Sequence, residues 1–116
     1  MVETPHAEAE TIVVTLPDEI DMANACRVGE DLDAAFGPGV GIVIADMSGT
    51  RFCDTSGIHA LVMAYKRAKA SNTGFRVVAG SGEVRHVLEI LHLDTVFATY
   101  PTLDMALLDG DHEPEQ

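Results

Sequence analysis

The sequence predicts a single α/β domain built on a largely parallel sheet. Three observations carry that prediction. Short β-branched or apolar runs alternate with longer stretches of helical periodicity, the pattern of strand–helix–strand units. One run, Val40 to Met47 (V-G-I-V-I-A-D-M), is almost continuously apolar, as a strand covered on both faces must be. With 116 residues, 47% of them hydrophobic, the chain is long and apolar enough for one core and does not have a disordered composition.

In chain order, Met1 to Glu10 is polar and acidic and reads as a flexible end. Thr11 to Leu16 (T-I-V-V-T-L) is β-branched and predicts a strand, broken by Pro17-Asp18-Glu19. Asn24 to Phe36 places Ala25, Val28, Leu32, Ala35 and Phe36 at helical spacing, with Asn24 able to cap. Gly37-Pro38-Gly39 stops that helix before the apolar strand Val40 to Met47. Thr55 to Ser71 is the longest predicted helix, with Ile58, Leu61, Val62, Tyr65 and Ala68 along one side and Lys66, Arg67 and Lys69 near its negative C-terminal end. Phe75 to Ala79 predicts a strand, and Gly80-Ser81-Gly82 a turn. A short helix over Glu83 to His92 follows, turning Val84, Val87, Leu88 and Leu91 inward. Val96 to Thr99 reads as a short strand, and Thr102 caps a last helical turn or two ending at Leu108. The structured unit is thus expected over residues 11–108, with Asp109 to Gln116 (D-G-D-H-E-P-E-Q) as an acidic tail.

The net charge of −12 repels phosphate backbones and anionic lipid surfaces, so neither nucleic acid nor membrane is an expected partner. Two cysteines without zinc spacing predict a reduced, cytoplasmic setting without disulfides. No positively charged start leads into an apolar run, and the longest apolar runs are far short of a bilayer span of ~20 residues.

The chemistry gathers at Arg51 to Ala60 (R-F-C-D-T-S-G-I-H-A). In open α/β sheets, sites form where strands end and helices begin, and Asp54-Thr55-Ser56-Gly57 lies at such a junction. A serine-hydrolase elbow needs glycines two residues either side of the nucleophile, and here Asp54 precedes and Gly57 directly follows Ser56. Cys53 beside Asp54 should have a raised, not a lowered, thiol pKa. His86 and His92, six apart, do not share a helix face and make no metal pair. No catalytic residue, metal or cofactor is expected. Two readings stay open from the residues. Asp, Thr and Ser are preferred helix caps. A phosphoryl group on a hydroxyl here would meet free backbone N–H groups at the positive end of the helix, but also Asp54.

Three stretches resemble the STAS domain family, and within it the bacterial anti-sigma factor antagonists. Leu16 to Ala25 (L-P-D-E-I-D-M-A-N-A) resembles the family's L-x-G-E-L-D-x-x-T-A. Ile42 to Ile58 resembles its central strand followed by F-x-D-S-[ST]-G-[LI], and Val84 to Phe97 its V-x-x-x-L-x-x-x-x-L-x-x-x-F tail. The resemblance implies a four- or five-stranded, mixed but largely parallel sheet with helices packed mainly on one face. It also implies a non-enzymatic partner switch. The unmodified protein binds an anti-sigma factor that is also a protein kinase, which frees a sigma factor. The kinase then phosphorylates the first hydroxyl after the motif aspartate, the antagonist lets go, and a phosphatase resets it. Carried across, the phosphorylated residue is Thr55, with Ser56 as second choice. The partner-binding positions are Asp21, Asn24, Asp54, Thr55, Ser56 and Gly57, on a monomer or weak dimer. The alternative is a constitutive STAS interaction module in a stress-sensing or transport-associated complex. The chain departs from the family pattern at Pro17-Asp18, where Gly is common, at Asn24 for Thr, and at Thr55 for Ser.

Overall fold

The computed structural model describes residues 9–80 and 82–109. The elements run β1 (Glu10–Thr15), β2 (Glu19–Ile20), α1 (Ala25–Ala34), β3 (Val40–Asp46), β4 (Phe52–Cys53), α2 (Thr55–Ala70), β5 (Gly74–Val78), α3 (Gly82–Ile90), β6 (Ala98–Tyr100) and α4 (Leu103–Leu108), with a 3₁₀ turn at Leu93–Thr95 before β6. Four strands pair in the order β1-β3-β5-β6, parallel throughout. The two-residue strands β2 and β4 pair separately, also in parallel. Most of the expected tail, Asp111 to Gln116 included, and most of the expected N-terminal end lie outside the described residues, as does Ser81 of the expected turn. Glu10 already belongs to β1, and Asp109 accepts a hydrogen bond from the Tyr100 hydroxyl.

The chain advances in one direction across the sheet, and parallel crossovers are right-handed, so α1, α2 and α3 must fall on the same face. They do: Val28, Leu32, Leu61, Ala64, Ala68, Val84 and Leu88 pack with Val43, Ala45, Phe75 and Val77 into the main core. Phe97 sits there edge-on to Phe75, with ring centroids 5.6 Å apart. The other face carries a smaller cluster in which Ala106 of α4 packs on Ile44 and Val78. The central strand β3 is buried at its C-terminal end from Val43 on, as its apolar run requires.

The short helix at the second face is latched by a buried arginine. Arg76, 1% exposed, reaches from β5 to donate from Nη1 to the Ala106 carbonyl at 2.6 Å, satisfying an acceptor in the last turn of α4. Its guanidinium lies 5.8 Å from the centre of the Tyr100 ring.

Three expectations change. Leu91 is exposed rather than inward, because α3 ends at Ile90 and His92 turns the chain through a left-handed conformation (φ 61°). Leu93, two residues later, packs against the core instead. His92 therefore lies outside the helix of His86. The last strand begins at Ala98, two residues later than expected, because the 3₁₀ turn occupies Leu93–Thr95. Finally, β2 and β4 were not expected at all, and they shape the site.

Candidate functional site

The site is assembled where β2 and β4 meet. Pairing Glu19 with Phe52 and Ile20 with Cys53 places the next residue of each strand, Asp21 and Asp54, at the same end of a parallel ladder. Side chains and backbone lace the two segments together. The Thr50 hydroxyl, fully buried, donates to the Pro17 carbonyl at 2.7 Å. The Arg51 amide donates to the Asp18 carbonyl at 2.7 Å, and its guanidinium faces the carboxylates of Asp18 and Glu19 at 3.4 and 3.6 Å. Asp18, where the family motif favours glycine, thus has a local partner. The Asp54 amide closes the ladder by donating to the Ile20 carbonyl at 3.0 Å.

Asp54, and neither hydroxyl, caps α2. Its backbone is extended (φ −89°, ψ −171°), and its carboxylate accepts from the amides of Ser56 (2.8 Å) and Gly57 (3.3 Å). Those amides are therefore occupied by a protein carboxylate, not free as the sequence reading supposed. Thr55 is the first helical residue, exposed, and Ser56 is half-buried beside it. Among the described residues, neither hydroxyl has a hydrogen-bond partner. Gly57 is buried, and its reason is steric: a Cβ there would meet Cys53 Sγ at 2.5 Å and Ile20 Cγ2 at 2.6 Å. Only glycine lets the first turn of α2 sit this close to the ladder. Burial, then the charge of Asp54, pushes the Cys53 thiol up to about 11, so the thiol is inert rather than nucleophilic.

The Asp21 side folds as a tight turn. Asp21 Oδ1 accepts from the Ala23 amide at 2.9 Å, and its carbonyl accepts from the Ala25 amide at 2.8 Å. Asn24 stands at the N-cap position of α1 but does not cap it. Its amide donates back to the Glu19 carbonyl at 2.8 Å, and its Oδ1 accepts from the Asp21 amide at 3.0 Å. Asn24 holds the loop to β2 rather than starting the helix.

Between α1 and α2 runs an open groove of about 500 Å³. Ala25, Gly29 and Ala60 give it small side chains, while Cys26 and Met63 line it with sulfur. Thr55, Ser56 and His59 line it too. Met22, 80% exposed, stands in the Asp21 turn. Sequence reasoning passed over Met22, Cys26, His59 and Met63. The signal for His59 was its spacing, four residues after Thr55 on one helix.

With this geometry the chain can be compared with known proteins. The STAS domain family profile matches residues 2–106, nearly the whole chain. The chain belongs to the STAS domain family. Among solved structures, this STAS domain is similar to an anti-sigma factor antagonist from Mycobacterium paratuberculosis, at 33% identity and a TM-score of 0.76, covering 84% of this chain and 82% of that one. A Thermotoga maritima protein held to be an anti-sigma factor antagonist is 22% identical with a TM-score of 0.71, covering 82% and 84% of the two chains. A sulfate transporter family protein from Wolinella succinogenes is 17% identical with a TM-score of 0.73, covering 84% and 81%. The last two likenesses show the fold alone. No curated protein gives a significant match. Among the described residues, no helix is long and apolar enough to cross a membrane.

Proposed function

We propose that this STAS protein is an anti-sigma factor antagonist switched off by phosphorylation of Thr55. In this reading the unmodified protein binds an anti-sigma factor of the serine/threonine kinase type through the Asp21 turn and the start of α2, and so frees a sigma factor. The kinase transfers the γ-phosphoryl group of ATP to Thr55 Oγ1, releasing ADP and the hydroxyl proton. The modified protein dissociates, and a phosphatase returns it to the binding state. The antagonist supplies a surface and no catalytic group, and the reading places it in the cytoplasm.

The observation that carries this reading is the division of labour at the head of α2. Asp54 takes the capping role, which leaves the Thr55 hydroxyl exposed and without a structural duty. A kinase can reach it without unfolding the helix. The phosphate would arrive beside the Asp54 carboxylate, where the two amides that might have received it are taken. A dianion pressed against a carboxylate at an interface costs several kcal/mol, enough to release a partner. Ser56, half-buried, is the poorer acceptor.

The test is a pull-down from native cytosol with unmodified protein, with and without ATP, followed by mass spectrometry of Thr55 and Ser56. A kinase-like partner that leaves as Thr55 gains phosphate is the expected result. Thr55→Asp and Thr55→Glu should bind weakly, and Thr55→Ala should bind without ATP-driven release. Equal binding by all three variants, or a stable partner with no phosphate on either hydroxyl, overturns the switch and leaves a constitutive interaction module.

A further inference from the structure

We propose that His59 is the counter-ion of the modified site, pairing as the imidazolium with a phosphoryl group on Thr55. This rests on the reading of Thr55 as a phosphoacceptor. Both residues are exposed on α2 and both line the groove against α1. Four residues apart on one helix, their Cβ atoms lie about 5–6 Å from each other. Helical side chains lean toward the N-terminus, so the imidazole leans back over the turn that carries Thr55. A phosphoryl group on Thr55 extends into the same space.

The electrostatic case is one of elimination. The amides of Ser56 and Gly57 are held by Asp54 and cannot receive the phosphate without losing the cap. No lysine or arginine is among the described lining residues of the groove. Arg51 faces Asp18 and Glu19, Arg27 pairs with Asp31, and Arg67 with Asp33, while Lys66 and Lys69 stand toward the far end of α2 and Arg85 on α3. Arg76 is buried in β5 beneath α4, on the opposite face of the sheet. Cys26 is the other titratable side chain of the lining, and the carboxylates adjoining the lining residues are Glu30, whose Oε2 lies 4.0 Å from that thiol, Asp54 at the helix start and Asp21 in the turn. All of these are acidic. His59 alone among the described lining residues can carry positive charge.

The pairing gives the modified state a structure of its own. The phosphate is drawn along the groove toward His59, so it covers the groove mouth as well as repelling a partner. Ser56, three residues from His59, is also within reach of it but is half-buried, whereas Thr55 is exposed.

The experiment uses the full chain with phosphothreonine installed at position 55 during translation, which makes it independent of any kinase. The ³¹P resonance is titrated with pH in the otherwise native protein, in His59→Gln and in His59→Arg. A nearby cation favours the dianion, so the second ionisation, ordinarily at about 6, should fall about half a unit lower with histidine than in His59→Gln. His59→Arg should keep or enlarge that shift, which a merely packing role for the side chain would not produce. His59 is exposed, so all three proteins should melt alike. Coincident titrations in native protein and His59→Gln overturn the pairing. The pull-down above decides separately whether a cellular kinase uses Thr55.

Discussion

Replacing Gly57 by alanine tests the central geometric statement about the site. In an open helix the change would stabilise by up to ~1 kcal/mol, because alanine is the better helix former. Here the added methyl meets Cys53 Sγ at 2.5 Å and Ile20 Cγ2 at 2.6 Å. Ordinary contact needs about 3.5–4.0 Å, so the neighbours must retreat by roughly 1 Å. Ile20 is wholly buried and Cys53 nearly so, and both are held in the β2–β4 ladder. Overpacking of this kind costs about 1–3 kcal/mol. Set against the full propensity gain, Gly57→Ala should lose up to about 2 kcal/mol, or up to roughly 10 °C in Tm for a domain of this size. Urea and thermal melts read this directly. A cycle with Cys53→Ala adds a second reading. Removing the sulfur opens space for the methyl, so the double variant should recover about 0.5–1 kcal/mol relative to additivity. The displaced ladder should also weaken partner binding although Thr55 is untouched. A Gly57→Ala protein as stable as the parent, with no coupling to Cys53, would refute the close approach of α2 to the ladder.

Asp54→Ala should cost about 1 kcal/mol through loss of the cap, with Asp54→Asn recovering most of it, while Thr55→Ala should melt within about 0.5 kcal/mol of the parent. Thiol titration at pH 8 should label Cys26, which is exposed, and leave buried Cys53 unreacted until the protein unfolds. The Cys53 thiol is raised in the fold, so the unfolded chain loses that proton first. Stability should therefore be unaffected by this group below pH ~8.5 and decline as pH rises toward 11, a slope that Cys53→Ala should flatten. Arg76→Leu leaves the Ala106 carbonyl without its buried donor and should cost about 1–3 kcal/mol. Hydrogen exchange should speed up first in α4.

The helices and the larger strands were legible because burial imposes a period on the residues that make them. Val40 to Met47 needs apolar residues throughout, and Val28, Leu32 and Phe36 recur at the spacing of one helix face. What period cannot convey is anything shorter than itself. Two-residue strands such as Glu19–Ile20 and Phe52–Cys53 have no alternation to read, and their pairing exists only through contacts far apart in the chain. Capping was legible as a composition but not as an assignment. Asp54, Thr55 and Ser56 stand in a row, and only the extended backbone of Asp54 selects it. Asn24 shows the converse, a good capping residue whose amide is drawn back to β2 by the Glu19 carbonyl. Leu91 had the right spacing for the core, but the left-handed turn at His92 ended its helix first.

The clasp between Glu19–Ile20 and Phe52–Cys53 also bears on how such a surface can diverge. It joins two stretches of the gene so that Asp18 and Arg51, 33 positions apart, share one ion pair and one backbone hydrogen bond. A substitution that retunes the first loop for a new partner changes what Arg51 leans on, and through β4 it shifts the start of α2. On the proposed reading, recognition and modification are then inherited together: duplicated copies in one cell would drift apart in partner only by changing both loops in step, and a chimera that swaps one loop alone should bind neither parent's partner well.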